Sequence, residues 1–72
     1  MEFLEKVIAE RIDHDESQRE LAKALDIAQT MVWRYETGKT EMPVRILLAI
    51  CHHYKVSADY LLGIPYNYRK PR

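Results

Sequence analysis

Apolar residues recur at steps of three and four along most of the chain, which is the spacing of one face of an amphipathic helix. The chain has two glycines and three prolines among 72 residues, all in its second half, so hairpin turns have little support. The pattern therefore predicts an all-α chain of five helices. The apolar face of the first predicted helix comprises Phe3, Leu4, Val7, Ile8 and Ile12, and Arg11 falls on the same face.

Two short helices in the middle of the chain are predicted from residues that begin and end helices. Ser17 offers a hydroxyl that caps a helix over Gln18–Leu25, and Glu20 completes a capping box three residues later. Another helix is predicted over Gln29–Thr37, followed by Gly38, which readily takes the left-handed conformation that ends helices. Two helices joined by so short a turn predict a helix-turn-helix unit.

The remaining helices follow from the same kinds of signal. Pro43 is predicted to be the first residue of a fourth helix, where a proline is tolerated. Ser57 caps a short fifth helix over Ala58–Leu62. Beyond it the helical periodicity is lost, so residues 1–63 are predicted to form one domain and residues 64–72 a basic tail or linker. The predicted apolar face of the fourth helix comprises Val44, Leu47, Leu48, Ile50, Cys51 and Tyr54.

The third predicted helix presents two faces of different chemistry. At 100° per residue, Ala28, Val32 and Tyr35 fall within about 60° of one another and are predicted to face inward. The opposite face has no carboxylate and offers an amide, hydroxyls, an indole and a guanidinium, which are groups that pair with base edges and phosphates. A merely solvated polar surface is the alternative. The residues of this face are Gln29, Thr30, Trp33, Arg34 and Thr37.

Several short motifs, in their order and spacing, resemble the phage repressor/Cro-type (XRE-type) helix-turn-helix domain. They are Ser17-Gln18-x-x-Leu21-Ala22, Asp26-Ile27-Ala28-Gln29, Val32-x-x-Tyr35-Glu36-x-Gly38-Lys39 and Val56-Ser57-x-Asp59-Tyr60-Leu61-Leu62-Gly63. The resemblance covers residues 3–63. It implies a five-helix, lambda-repressor-like domain with the helix-turn-helix in helices two and three. The third helix would enter the major groove of double-stranded DNA, and the protein would act as a transcriptional repressor.

The same resemblance implies roles for individual residues. The side chains that would read base edges are Gln29, Thr30, Trp33 and Arg34. The residues that would hold phosphates, at the start of helix two and after helix three, are Ser17, Gln18, Lys39, Thr40 and Arg45. The residues that match a structural ion pair between helices one and three are Arg11 and Glu36.

Four residues depart from the family pattern, and one of them is Pro43, which falls one place later than in many relatives. Asp26 stands where glycine is common in the turn, and aspartate tolerates positive φ better than most residues. Ala28 stands where Ser or Thr usually caps helix three, so about 1 kcal/mol of capping is forfeited. Trp33 is unusual on a groove-facing surface, where it would stack on sugar or thymine methyl groups or else contact a protein partner.

The formal net charge of zero argues against a nucleic-acid partner, since such domains are usually basic. The charges are, however, unevenly distributed. Residues 1–26 carry eight acidic and four basic side chains, whereas residues 27–72 carry seven basic and three acidic ones. Because the predicted groove-reading helix lies in the basic part, the zero is a cancellation, and it predicts modest non-specific affinity for DNA.

Enzyme chemistry has little support in the sequence. Cys51, His52 and His53 are adjacent on a helix, where neighbours point about 100° apart and cannot converge on one atom. Cys51 falls on the apolar stripe, and no zinc-binding spacing is present. No catalytic residue, metal site, cofactor or small-molecule substrate is therefore predicted.

The sequence also predicts a compartment and an oligomeric state. The single cysteine, Cys51, suits a reducing environment, and no apolar run approaches the roughly 20 residues of a bilayer span, so a cytoplasmic protein without membrane contact is predicted. Relatives pair around helix five, so a homodimer is expected on a roughly palindromic operator. The residues of that predicted interface are Val56, Ala58, Tyr60 and the segment Ile64-Pro65-Tyr66.

A second hypothesis is a protein-interaction module of the same fold, antitoxin-like or an adaptor, with little intrinsic DNA binding. Its anchors would be Trp33, Tyr66 and Tyr68. The neutral net charge and the acidic first helix favour this alternative, and the sequence alone leaves it open.

Overall fold

The computed structural model describes residues 2–64 and has five α-helices and no strand in that range. In chain order they are α1 (Glu2–Asp13), α2 (Gln18–Leu25), α3 (Gln29–Glu36), α4 (Val44–Tyr54) and α5 (Ala58–Leu62). The predicted all-α fold is confirmed. No helix in the described range has the length and apolar character needed to cross a membrane.

Local capping chemistry sets the ends of the short helices. Ser17 Oγ accepts a hydrogen bond from the Glu20 N–H at 3.0 Å, and the Glu20 carboxylate accepts one from the Ser17 N–H at 2.8 Å. This reciprocal pair is the predicted capping box of α2. At α5, Ser57 Oγ accepts from the Tyr60 N–H at 3.0 Å, and Gly63 ends the helix in the left-handed conformation.

The core is shared by all five helices. α3 packs on α1 and α2, α5 packs on α1 and α4, and α2 also contacts α4. The four largest fully buried side chains, Val7, Leu21, Ile50 and Leu61, come from four different helices. The other buried apolar residues are Ala22, Val32, Tyr35, Ile46, Leu47, Cys51 and Tyr54.

Three apolar residues predicted to face the core lie at the surface. Ile12 is 60% exposed, Val44 is 68% exposed and Leu48 is 55% exposed. Ile12 follows the buried Val7 by five residues, which turns it about 140° around α1. In α4 nearly every residue of the first two turns is apolar, so periodicity could not decide which arc faces inward, and the structure buries Ile46 instead.

The starts and ends of two helices also differ from the prediction. Pro43 is the N-cap of α4, with extended backbone, and not its first residue. Ala28 is exposed where an inward position was predicted, because it is the N-cap of α3 and its extended backbone removes it from the helical wheel. Thr37 is the C-cap of α3 and not its last residue.

Most of the predicted tail, residues 65–72, lies outside the described residues. The predicted anchors Tyr66 and Tyr68 and the Pro65-Tyr66 part of the predicted dimer segment are therefore outside them as well.

Candidate nucleic-acid interface

The turn between α2 and α3 is built by backbone hydrogen bonds around a left-handed residue. Asp26 has φ +60° and directs its N–H to the carbonyls of Ala22 and Lys23, which ends α2. The Ile27 N–H donates to the Ala22 carbonyl at 3.0 Å, and the Ile27 side chain packs against the core. The turn therefore forms with aspartate in place of glycine, as predicted, and it fixes the direction in which α3 leaves α2.

One side of α3 is anchored in the core. Val32 and Tyr35 are buried, and so is Glu36, which within residues 2–64 is the one buried polar or charged residue. Glu36 is also the only carboxylate in α3. With that carboxylate turned inward, the opposite side of α3 has no negative charge of its own.

The outer side of α3 carries the residues predicted to read bases. They share exposure to solvent along one face of the helix, and Trp33 is 43% exposed. The N-terminal turn of α3 has no acidic residue, and Arg34 supplies a cation in the last turn. The exposed set is Gln29, Thr30, Trp33 and Arg34.

The segment after α3 folds back beside this face. Gly38 takes φ +77°, and the Lys39 N–H donates to the Arg34 carbonyl at 2.9 Å. Arg34 Nη1 donates to Thr40 Oγ1 at 3.4 Å. Lys39 Nζ lies 5.8 Å from the centroid of the Trp33 ring, within cation–π range. Two predicted phosphate ligands are thus held next to two predicted base readers.

Arg45 is exposed in the first turn of α4, a turn without an acidic residue. A cation there opposes the positive end of the helix dipole, so helix stability does not explain its position. A bound anion at this end of α4 would offset both the Arg45 charge and the positive end of the helix dipole.

The start of α2 qualifies the predicted phosphate contact of Ser17. Its N–H donates to the Glu20 carboxylate, which would repel a phosphate placed on the same N–H, while its hydroxyl oxygen accepts from the Glu20 N–H and keeps its own proton to donate. The N–H groups of Gln18 and Arg19 belong to the first turn, where no intrahelical carbonyl pairs with them. These two groups are the better placed donors at this end of the helix.

A hydrogen-bonded chain links the core to the start of α3. Arg11 Nε and Nη2 donate to the two carboxylate oxygens of Glu36 at 2.7 and 3.1 Å, and Arg11 Nη1 donates to the Glu16 carbonyl at 2.9 Å. The hydrogen bond to Glu36 raises the pKa of Arg11. Gln18 Nε2 also donates to Glu36, at 3.0 Å, and Gln18 Oε1 accepts from Gln29 Nε2 at 3.4 Å. The structure thus brings together the predicted ion pair, a predicted phosphate ligand and a predicted base reader.

A second polar cluster, which the sequence did not indicate, joins the connector between α1 and α2 to the end of α4. Tyr54 Oη donates to Glu16 Oε1 at 2.6 Å, and His53 Nε2 lies 2.8 Å from Glu16 Oε2. The rings of His14 and His53 each lie 4.8 Å from the Tyr54 ring. Burial acts to raise the pKa of Glu16, but the hydrogen bonds from Tyr54 and His53 outweigh it and lower that pKa.

The cysteine and histidines of α4 do not converge. Cys51 is buried, and burial raises the pKa of its thiol, so the thiol is protonated near neutral pH. His52 is exposed, and His53 is directed to Glu16. Among residues 2–64 no three His, Cys, Asp or Glu side chains are grouped to hold a metal ion.

Comparison with known proteins gives one match. A protein-family model described as helix-turn-helix matches residues 8–61, about three quarters of the chain. The matched span contains α2, α3 and α4 in full, the second half of α1 and most of α5. No curated protein and no solved structure shows significant similarity to the chain.

Proposed function

Because the chain belongs to the helix-turn-helix family of the XRE type, whose members are DNA-binding regulators, we propose that it is a sequence-specific repressor. It would bind double-stranded DNA with α3 in the major groove and compete for that site with the proteins that carry out transcription. We propose a cytoplasmic location as well, since the free thiol of Cys51 is stable in a reducing compartment.

The single observation that carries the proposal is the chemistry of the outer face of α3. The one carboxylate of α3, Glu36, is buried. On the outer face, Arg34 and Trp33 are exposed among hydroxyl and amide groups. Lys39 lies beside this face, 5.8 Å from the Trp33 ring centroid, and Arg45 is exposed in the first turn of the following helix. A helix that only had to be soluble would more often expose Glu and Lys in place of these groups.

The proposed roles follow from the donors and acceptors of each side chain. Arg34 can pair bidentately with guanine, Gln29 with adenine, and Thr30 can touch a thymine methyl group. Lys39 and Arg45 would neutralise phosphates, and Thr40 would donate its hydroxyl to one. The first-turn N–H groups of α2, those of Gln18 and Arg19, would hold a further phosphate, to which the Ser17 hydroxyl would donate as well.

We propose further that the protein binds as a homodimer, since one such domain covers only half of a two-site operator. Around α5, Tyr60 is half exposed, whereas Val56 and Ala58 pack partly against the core. Val44 and Leu48 add exposed apolar surface on α4. Exposed apolar side chains available for pairing are therefore present on both α5 and α4.

Sedimentation equilibrium tests the dimer with duplexes that carry one or two copies of the selected half-site. Two protomers per two-site duplex, bound cooperatively, are expected. A protein that remains monomeric at hundreds of micromolar, and that fills two half-sites independently, would contradict the dimer.

Selection of bound sites from random duplex DNA, followed by a salt titration, tests the main proposal. A single preferred motif is expected. With Lys39 and Arg45 of two protomers on four phosphates, log Kobs should fall against log salt with a slope of about −3.5. Enrichment of no motif, or affinity that does not change with salt, would refute DNA reading and leave the protein-interaction module as the function to test.

A further inference from the structure

Trp33 is the one tryptophan of the chain, and it stands in the middle of the candidate interface. It is 43% exposed on the outer face of α3, with Thr30 three residues before it and Thr37 four residues after it. These spacings place both threonines on the same face as the indole. An aromatic surface is therefore the largest group that α3 presents to a ligand.

The indole is attached to a well-fixed backbone. The Thr37 N–H and Oγ1 both donate to the Trp33 carbonyl, at 3.0 and 2.8 Å. The Lys39 ammonium lies over the ring at 5.8 Å from its centroid. Lys39 is also a predicted phosphate ligand. The Trp33 ring would therefore contact DNA next to a phosphate that Lys39 binds.

The apolar character of the Trp33 indole limits which groups of the major groove it can recognise. The edges of base pairs in the major groove carry hydrogen-bond donors and acceptors, with one methyl group in unmodified DNA, the C5 methyl of thymine. An exposed indole gains by removing apolar surface from water, and hydrogen-bonding edges offer it no such surface. Among base edges, the thymine methyl group is thus the complementary partner for Trp33.

We infer that Trp33 is a specificity-determining residue that selects thymine at one position of each half-site by packing on its 5-methyl group. The inference rests on the proposed DNA-binding function and assigns a base to one side chain of the same surface. Burying one methyl group is expected to favour thymine over uracil about fourfold.

Replacing each thymine of the selected site by deoxyuridine, one at a time, removes only the methyl group. Wild-type protein should lose about fourfold in affinity at one position in each half-site. The Trp33→Ala variant should bind thymine and uracil equally well at that position, and the Arg34→Ala variant should still discriminate between them. Trp33 is exposed, so Trp33→Ala is expected to fold, which circular dichroism checks.

Tryptophan fluorescence gives a second readout that needs no variant, because the emission comes from Trp33 alone. The emission maximum should lie further to the blue on the thymine duplex than on the matched uracil duplex. Equal affinities for both duplexes in wild-type protein, an equal uracil effect in Trp33→Ala, or identical emission from both complexes would overturn the inference while DNA binding stands. Failure to bind any selected DNA would overturn the proposed function with it.

Discussion

At the scale of single residues, the Glu36 carboxylate accepts three side-chain hydrogen bonds, more than any other carboxylate among residues 2–64. It accepts from both Arg11 and Gln18 in a buried position. Glu36→Gln should lower the free energy of unfolding by about 3 kcal/mol, near the lower end for a buried pair, because the Arg11 side chain retains 14% of its exposure. Urea unfolding followed by circular dichroism measures the loss.

The double variant Arg11→Met with Glu36→Leu is the control for that prediction. Removing both charges leaves neither one unpaired, so the double variant should unfold at higher urea than Glu36→Gln does. If the double variant is the less stable of the two, the pair itself contributes net stability and an unpaired charge is not the cause of the loss.

Arg34 and Lys39 are neighbours in the structure, yet the proposal gives them different work. Arg34→Ala should weaken binding to the selected site by about 1–3 kcal/mol and binding to random DNA much less, since a base contact carries specificity. Lys39→Ala should weaken both about equally and reduce the salt slope by about one per protomer, as a phosphate contact does. Fluorescence anisotropy with labelled duplexes gives both numbers. Equal losses from Arg34→Ala on both DNAs would place Arg34 on phosphate.

At the scale of helices, the N-terminus of α3 lacks side-chain capping, because the Ala28 N-cap has no side chain that can accept a hydrogen bond. Ala28→Ser should stabilise the protein by about 1 kcal/mol, which raises Tm by about 4–8 °C in a domain of this size. Ala24→Ser, on the exposed side of α2, is the matched control and should lower Tm slightly. A similar change from both variants would show that capping is not the cause.

Helix ends that carry a capping residue were predictable because capping chemistry is local. Ser17 and Ser57 cap the helices that follow them, and Asp26 takes the left-handed conformation, as their sequence positions indicated. Lys55 was not predictable, since it ends α4 at φ +58° without a glycine to signal the turn. The buried arc of α4 was also missed at Leu48, because an almost wholly apolar stretch has no periodicity that distinguishes one side from another.

At the scale of the whole molecule, Glu16 joins the connector between α1 and α2 to the end of α4. Its pKa in the folded protein lies below its ordinary value of 4.5, so folding favours the charged carboxylate. The resulting stabilisation is complete above about pH 4.5 and is lost as the pH falls through the folded-state pKa. The stability difference between wild type and Glu16→Gln should therefore shrink as the pH falls below about 4.5.

Urea midpoints measured from neutral to acid pH test this expectation. Asp15→Asn, which alters the neighbouring exposed carboxylate, is the control and should follow the wild-type curve more closely than Glu16→Gln does. A Glu16→Gln curve that keeps its full distance from wild type at the lowest pH would show that charge on Glu16 does not stabilise the fold.

The contacts that join distant parts of the chain were beyond prediction, with the exception of the pair that the family resemblance supplied. Gln18 and Glu36 are 18 residues apart, and Glu16 and His53 are 37 residues apart. Nothing periodic or local connects such pairs, because their meeting depends on how five helices pack. The outer face of α3 was predictable for the opposite reason, since eight consecutive residues determine it.

The hydrogen bonds that link Glu36, Gln18 and Gln29 have a fixed order of donors and acceptors. Glu36 can only accept, so Gln18 must give it the amide nitrogen and keep its oxygen for the Gln29 N–H. Gln29 is then left with a free oxygen and one free N–H, the order in which an amide meets the N6 amino group and N7 of adenine. The buried charge of Glu36 thereby determines which amide atoms of Gln29 remain free to pair with a base.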